Sequence, residues 1–164
     1  MGRDLGVLHR LSGLGADAVV ELRTGEATHD LAVRLLAAGG PVDVVLDGIY
    51  GRPLEAALQV CAPRARVVNI GNLAGPVAQV PAGLLRGRQL TLSGFAALHL
   101  GLEAKEAALT WLWSALRDGH LQVDTLVFDL DDLPAAWARQ AASPHAKCVV
   151  VPNPNLLDLS RANA

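Results

Sequence analysis

Three glycines stand where short apolar runs stop. Val42-Asp43-Val44-Val45-Leu46-Asp47 is followed by Gly48-Ile49-Tyr50-Gly51, and Arg66-Val67-Val68-Asn69-Ile70 is closed by Gly71-Asn72. Glycine at a strand end leaves the peptide plane uncovered, so a flat ligand can come close to the backbone. The chemistry such positions serve is holding a planar ring, not attacking a bond. Tyr50, the only tyrosine, lies beside them. It can donate to a substrate oxygen or pack over a bound ring. Other reactive residues form no constellation. His9, His29, His99, His120 and His145 are scattered, with no second ligand at a metal-binding spacing. Cys61, read as helical, and Cys148, read as part of a strand, fall in different elements and are expected to be small buried apolar residues. Asp129, Asp131 and Asp132 are explained by capping the helix that follows, and Ser93 and Ser114 lack a neighbouring acid and base.

The elements that must position the glycines are a strand, a helix and a strand. Between the two runs, Leu54, Ala57, Leu58 and Cys61 recur at helical spacing from Pro53 to Cys61, with Pro53 suited to a first turn. Two β-rich runs joined by a helix-length connection cannot make a tight hairpin, so they are predicted to lie parallel. In such sheets ligands sit outside the carboxyl ends of the strands, where Gly48, Gly51 and Gly71 fall. Upstream, the spacing predicts a helix over Arg3 to Ser12, a strand over Ala16 to Leu22 and a helix from Thr28 to Gly39. Downstream come a helical turn at Leu84 to Gly87, a half-exposed edge strand at Gln89 to Phe95 and a long helix from Leu102 to Arg117. Thr125 to Phe128 is a further strand, Asp131-Asp132-Leu133-Pro134 opens a helix through Ala142, and Ala146 to Val151 is the last strand. The residues from Pro152 on read as a frayed tail.

At 164 residues the chain is about one domain long and, at 51% hydrophobic, it is rich enough to bury a core. A net charge of -2 offers no basic field for nucleic acid or an anionic membrane. No apolar run approaches the roughly 20 residues of a membrane span, and no export signal is seen. Two cysteines without a disulfide framework fit a reducing cytoplasm. The fold class is α/β with a mostly parallel sheet.

In the order and spacing of its segments the chain resembles the medium-chain dehydrogenase/reductase family, in particular its quinone-reductase and enoyl-reductase branches. Leu14-Gly15-Ala16-Asp17-Ala18-Val19-Val20 resembles the family's entry to its third strand. Val42 to Gly48 resembles the fourth strand, Val67 to Gly71 the fifth, and Leu90-Thr91-Leu92-Ser93-Gly94-Phe95 the sixth. Leu133 to Val151 resembles the closing helix and strand. The resemblance implies an incomplete Rossmann-like, doubly wound domain over residues 1–151, with the family's return segment from about 120 and a tail over 152–164. The family's opening strand, its Gly-x-Gly-x-x-Gly turn and its second strand have no counterpart, since Gly13-Leu14-Gly15 ends a helix. In the family's strand order the missing strands are the centre of the sheet.

The resemblance implies NADP or NAD as cofactor, with Gly48, Ile49, Gly71 and Asn72 lining the cleft. Gly94 and Phe95 would meet the nicotinamide carboxamide through backbone groups. Arg3, near where the second strand would end, would pair a 2'-phosphate and favour NADP. It implies a homodimer through Gln89 to Phe95, the alternative being an edge shielded by the Leu102 to Arg117 helix. The function expected is that of the cofactor-domain portion of an NAD(P)H-dependent quinone or enone reductase, inactive alone. The alternatives are a non-catalytic dimerisation module and a subunit completed by a partner chain that supplies the missing strands. No zinc site is expected from these residues.

Overall fold

The computed structural model describes residues 1–152. The chain divides into two compact units, Met1–Leu100 and the stretch from Gly101 on. In the first, helix α1 (Leu5–Gly13) begins where the Asp4 carboxylate accepts the Val7 N–H at 2.8 Å, giving a first-turn donor its partner. Helix α2 (Thr28–Gly39) ends at Gly40, whose φ of 72° costs glycine little. Strand β1 (Val42–Asp47), helix α3 (Gly51–Val60) and strand β2 (Cys61–Asn69) then follow without a break in sense. β1 and β2 run parallel, with Val44 opposite Arg66 and Leu46 opposite Val68. Helix α4 (Ala82–Arg88) leads to strand β3 (Thr91–Gly94), which lies parallel on the far side of β2. The sheet order is β1-β2-β3.

Helix α3 is where the core gathers. Leu54 and Leu58 pack with Cys61, Ala65 and Val67 of β2. Ala56 and Val60, on another face of the same helix, pack with Leu31 and Ala32 of α2 and with Val20. A helix apolar on so much of its circumference must be covered from several sides, and it is.

The second unit holds helix α5 (Leu102–Arg117), strand β4 (Thr125–Asp129), helix α6 (Leu133–Ala141) and strand β5 (Lys147–Val151). β4 and β5 are parallel, with Val127 opposite Val149. Both units are α/β with small parallel sheets, as an incomplete Rossmann-like fold requires.

Several boundaries differ from the sequence reading, each for a physical reason. The strand expected over Ala16 to Leu22 is reduced to one parallel bridge, Gly2 with Glu21. An extended run becomes a strand only along the length of its partner, and here the partner is one residue. Around that bridge Gly2 donates to the Val20 carbonyl at 3.1 Å and accepts from the Leu22 N–H at 2.7 Å. Cys61 opens β2 and does not belong to the preceding helix, which begins at Gly51, two residues before Pro53. The edge strand spans Thr91–Gly94, shorter than Gln89 to Phe95, because Gln89 takes a left-handed conformation (φ 53°) to cap α4. Asp132 precedes α6 without a side-chain capping bond, and Asp131 and Asp132 sit in a short 3-10 turn instead. The tail beyond Pro152 lies outside the described residues.

Candidate functional site: a glycine rim at the strand ends

The carboxyl ends of β1, β2 and β3 lie side by side, and one buried acid ties the first two together. Asp47, 4% exposed, ends β1. One carboxylate oxygen accepts the backbone N–H groups of Ile49 (3.2 Å) and Tyr50 (2.8 Å). The other accepts from Asn69 Nδ2 at 2.8 Å. The same Asn69 amide donates to the Gly71 carbonyl at 2.7 Å. A buried carboxylate is tolerated only when it is satisfied in this way. The consequence is a fixed pair of turns. Tyr50 is held at φ 58°, a conformation that a residue with a Cβ enters only under constraint, and Gly51 follows at φ 59°.

The turns are locked to each other as well. Ala74 donates to the Ile49 carbonyl at 2.6 Å, and Gly75 to Asn72 at 3.0 Å. Gly71 passes so close to Gly48 that a Cβ on it would stand 2.5 Å from the Gly48 carbonyl oxygen. A Cβ on Gly51 would stand 3.0 Å from the Ala74 carbonyl oxygen. Glycine is required at both places by close backbone approach. β3 joins the rim where Phe95 donates to the Asn69 carbonyl at 2.9 Å.

Gly48, Ile49, Gly71 and Asn72 are therefore brought together, and Gly94 and Phe95 stand next to them across β2. Arg3 is placed elsewhere. It lines a hollow of about 260 Å³ together with Arg23 and Arg52, floored by Leu22, Leu31 and Pro53. Glu26 shares this hollow but is engaged by Arg34 at 2.5 Å. Arg23 is paired with Glu21 at 3.0 Å. The hollow keeps a surplus of positive charge, suited to a phosphate group. Ala74, which is bonded to the rim, also lines it. The sequence reading missed Asp47, Asn69, Arg23 and Arg52. Asp47 and Asn69 carry a signal, an acid and an amide at matching ends of two apolar runs. Arg23 and Arg52 carry none, because only folding brings them beside Arg3.

A parallel α/β unit with glycine turns at the ends of its strands is the class of a dinucleotide-binding domain. The profile of the zinc-binding dehydrogenase family matches residues 14–150, so the chain belongs to that family, and it corresponds to the cofactor-domain portion of medium-chain dehydrogenases and reductases. Solved structures agree in fold. A candidate alcohol dehydrogenase from Sinorhizobium meliloti 1021 is 28% identical, with a TM-score of 0.72 over 93% of this chain and 40% of its own. A mycobacterial protein, Rv1454c, complexed with NADPH, is 23% identical, with a TM-score of 0.73 over 92% of this chain and 49% of its own. A quinone oxidoreductase from Pseudomonas syringae pv. Tomato DC3000 is 23% identical, with a TM-score of 0.64 over 91% of this chain and 47% of its own. The chain thus spans less than half the length of these proteins. No curated protein matches it.

The family's name implies zinc, and the residues described do not fit it. Among them no three His, Cys, Asp or Glu side chains converge as a metal site requires. What the described residues offer instead is backbone at the glycine turns and cations in the arginine hollow. No helix among the described residues is long and apolar enough to cross a membrane.

Proposed function

We propose that this chain is the nicotinamide-dinucleotide-holding part of an NAD(P)H-dependent oxidoreductase acting on a quinone or a conjugated carbonyl. The observation that carries the reading is the rim fixed by Asp47 and Asn69, with Gly48 and Gly71 in backbone contact. The family match and the NADPH found with the mycobacterial structure support it. When bound, the cofactor supplies the hydride. The chain's part is to hold it. The turns at Gly48–Tyr50 and Gly71–Asn72, locked to each other, border the ring on one side, and Phe95 closes the far side. Arg3, Arg23 and Arg52 hold phosphate, so NADPH binds more tightly than NADH. The chain by itself holds the cofactor without turning it over. The free thiols of Cys61 and Cys148 support a reducing, cytoplasmic setting.

The second part of the proposal is a homodimer, favoured by β3 being an outer strand of its sheet among the described residues. Phe95 donates to Asn69, so the backbone groups of Ser93 and Thr91 also face β2. Those of Leu92 and Gly94 face the open side, where a two-fold partner strand can pair.

Calorimetric titration with NADPH and NADH tests the cofactor reading. A micromolar NADPH affinity that weakens at least about tenfold in Arg3→Ala is expected, by the usual worth of a charge-assisted phosphate contact. Absence of NADPH binding up to millimolar concentration would count against it.

A further inference from the structure

Glu55 stands on α3 three residues after Arg52, so the two are neighbours on the helix surface. One of its carboxylate oxygens accepts from the Thr28 hydroxyl, at the first residue of α2, at 3.3 Å. The other accepts the Gln79 backbone N–H at 2.8 Å. Arg52 in turn donates to the Glu26 carbonyl at 3.4 Å. Two distant segments are thus tied to the same part of α3. One runs from Arg23 through Glu26, which line the arginine hollow, to Thr28. The other, residues 70–81, has no helix or strand and carries Gly71 and Asn72 of the rim. Its first half is fixed by the bonds of Ile70 to Asp47 and of Ala74 to Ile49. Between Gly75 and Pro81, the bond from Gln79 to Glu55 is the one that reaches another element among the described residues, while Ala78 and Val80 pack on the core.

We propose that Glu55 is a positioning residue that couples the arginine hollow to the glycine rim. It touches neither a phosphate nor a ring and acts through Thr28 and Gln79. A phosphate gripped by Arg23 and Arg52 fixes the segment that runs into Thr28. Glu55 passes that order to residues 75–81, and the turn at Gly71 and Asn72 is then fixed before a ring arrives. Ordering completed by one end of a ligand is ordering that the other end no longer has to supply, so the two ends bind cooperatively without a large movement. Ala74 is the point where the coupling is read, because it lines the hollow and donates to the rim at the Ile49 carbonyl. This consequence rests on the cofactor reading proposed above; the tie made by Glu55 does not.

Amide hydrogen exchange by NMR on the full chain, first without nucleotide, tests the tie. Glu55→Ala should speed exchange about fivefold at Gln79, the equivalent of one ordinary hydrogen bond, and at least about twofold at Ala74, which Glu55 does not touch. The amide of the fully buried Val67 should be unaffected, whereas loss of a merely structural residue would speed all three together. Glu55→Gln should restore the native rates, since its amide oxygen accepts from Gln79 and its NH2 group donates to Thr28; a role for the charge itself would not be rescued. If Glu55→Ala does not fold, Thr28→Val removes one hydroxyl from the far end of the tie and should still speed exchange at Ala74. The second arm adds adenosine 2',5'-bisphosphate, which carries phosphates and no nicotinamide. It should slow exchange at Ala74 and Gln79 in the native chain and not in Glu55→Ala. Ala74 exchange that is the same in the native chain, Glu55→Ala and Thr28→Val overturns the proposal, as does equal slowing by the bisphosphate with and without Glu55. A bisphosphate that does not bind removes the phosphate reading of the hollow, and the nucleotide-free rates still decide the tie.

Discussion

A single methyl group at Gly71 would sit 2.5 Å from the Gly48 carbonyl oxygen, and backbone on both sides leaves it nowhere to go. Gly71→Ala should therefore lower stability by about 1–3 kcal/mol, as overpacking does, and should separate the two turns of the rim. Urea denaturation reads the first effect, and a loss of NADPH affinity larger than that of a control such as Gly83→Ala, where a Cβ meets nothing within 4 Å, reads the second. Cys61 offers a pH test at the same scale. Burial pushes its thiol above the ordinary value of 9.0, with Arg88 pulling weakly the other way. The folded chain thus favours the neutral thiol, while the unfolded chain ionises it near 9.0. Stability from this group is complete below about pH 9 and is lost as pH rises toward the raised value. Melting measured from pH 8 to 10.5 should show a decline that Cys61→Ala lacks. A decline of equal slope in both proteins would refute this assignment.

Elements depend on partners that sequence periodicity does not display. Helix α4 is short, yet it is strapped to the end of α3 by Arg88, which donates to the carbonyls of Gln59 (2.9 Å) and Cys61 (2.5 Å). The Gln59 carbonyl is one that a helix end leaves without an intrahelical donor, and the Cys61 carbonyl is at the start of β2. Arg88→Ala should cost about 1.5–3 kcal/mol, the range for hydrogen bonds to a charged group, and Arg88→Lys should recover only part of it. A urea midpoint unchanged in Arg88→Ala would show that the strap contributes nothing. The same dependence explains which elements were legible. α2 and α5 stand close to their expected spans because glycine stops and apolar spacing are local signals. The run Ala16 to Leu22 has the composition of a strand but only Gly2 as partner, so its ladder is one bridge long.

At the scale of the whole molecule, the outer strand β3 is the contact of the proposed dimer. Its open side carries the backbone groups of Leu92 and Gly94, so Leu92→Pro removes a donor there and spares the ladder to β2. Sedimentation should find a dimer for the native chain and a monomer for Leu92→Pro. An identical mass for both would exclude pairing through β3. The parallel strand-helix-strand and the glycine turns at its ends were legible from sequence, because alternation, loop length and the chemistry of turn residues act over a few neighbouring positions. Gly48, Gly51 and Gly71 could accordingly be placed at the strand ends, whereas Ile49 and Asn72 were singled out through the family resemblance. The Asp47–Asn69 clasp and the meeting of Arg3 with Arg23 and Arg52 were not legible. Each joins residues that are far apart in the chain and whose distances are fixed only when helices and strands pack. Local chemistry determined the parts and their order along the chain; packing alone decided which charges converge and which strand became outermost.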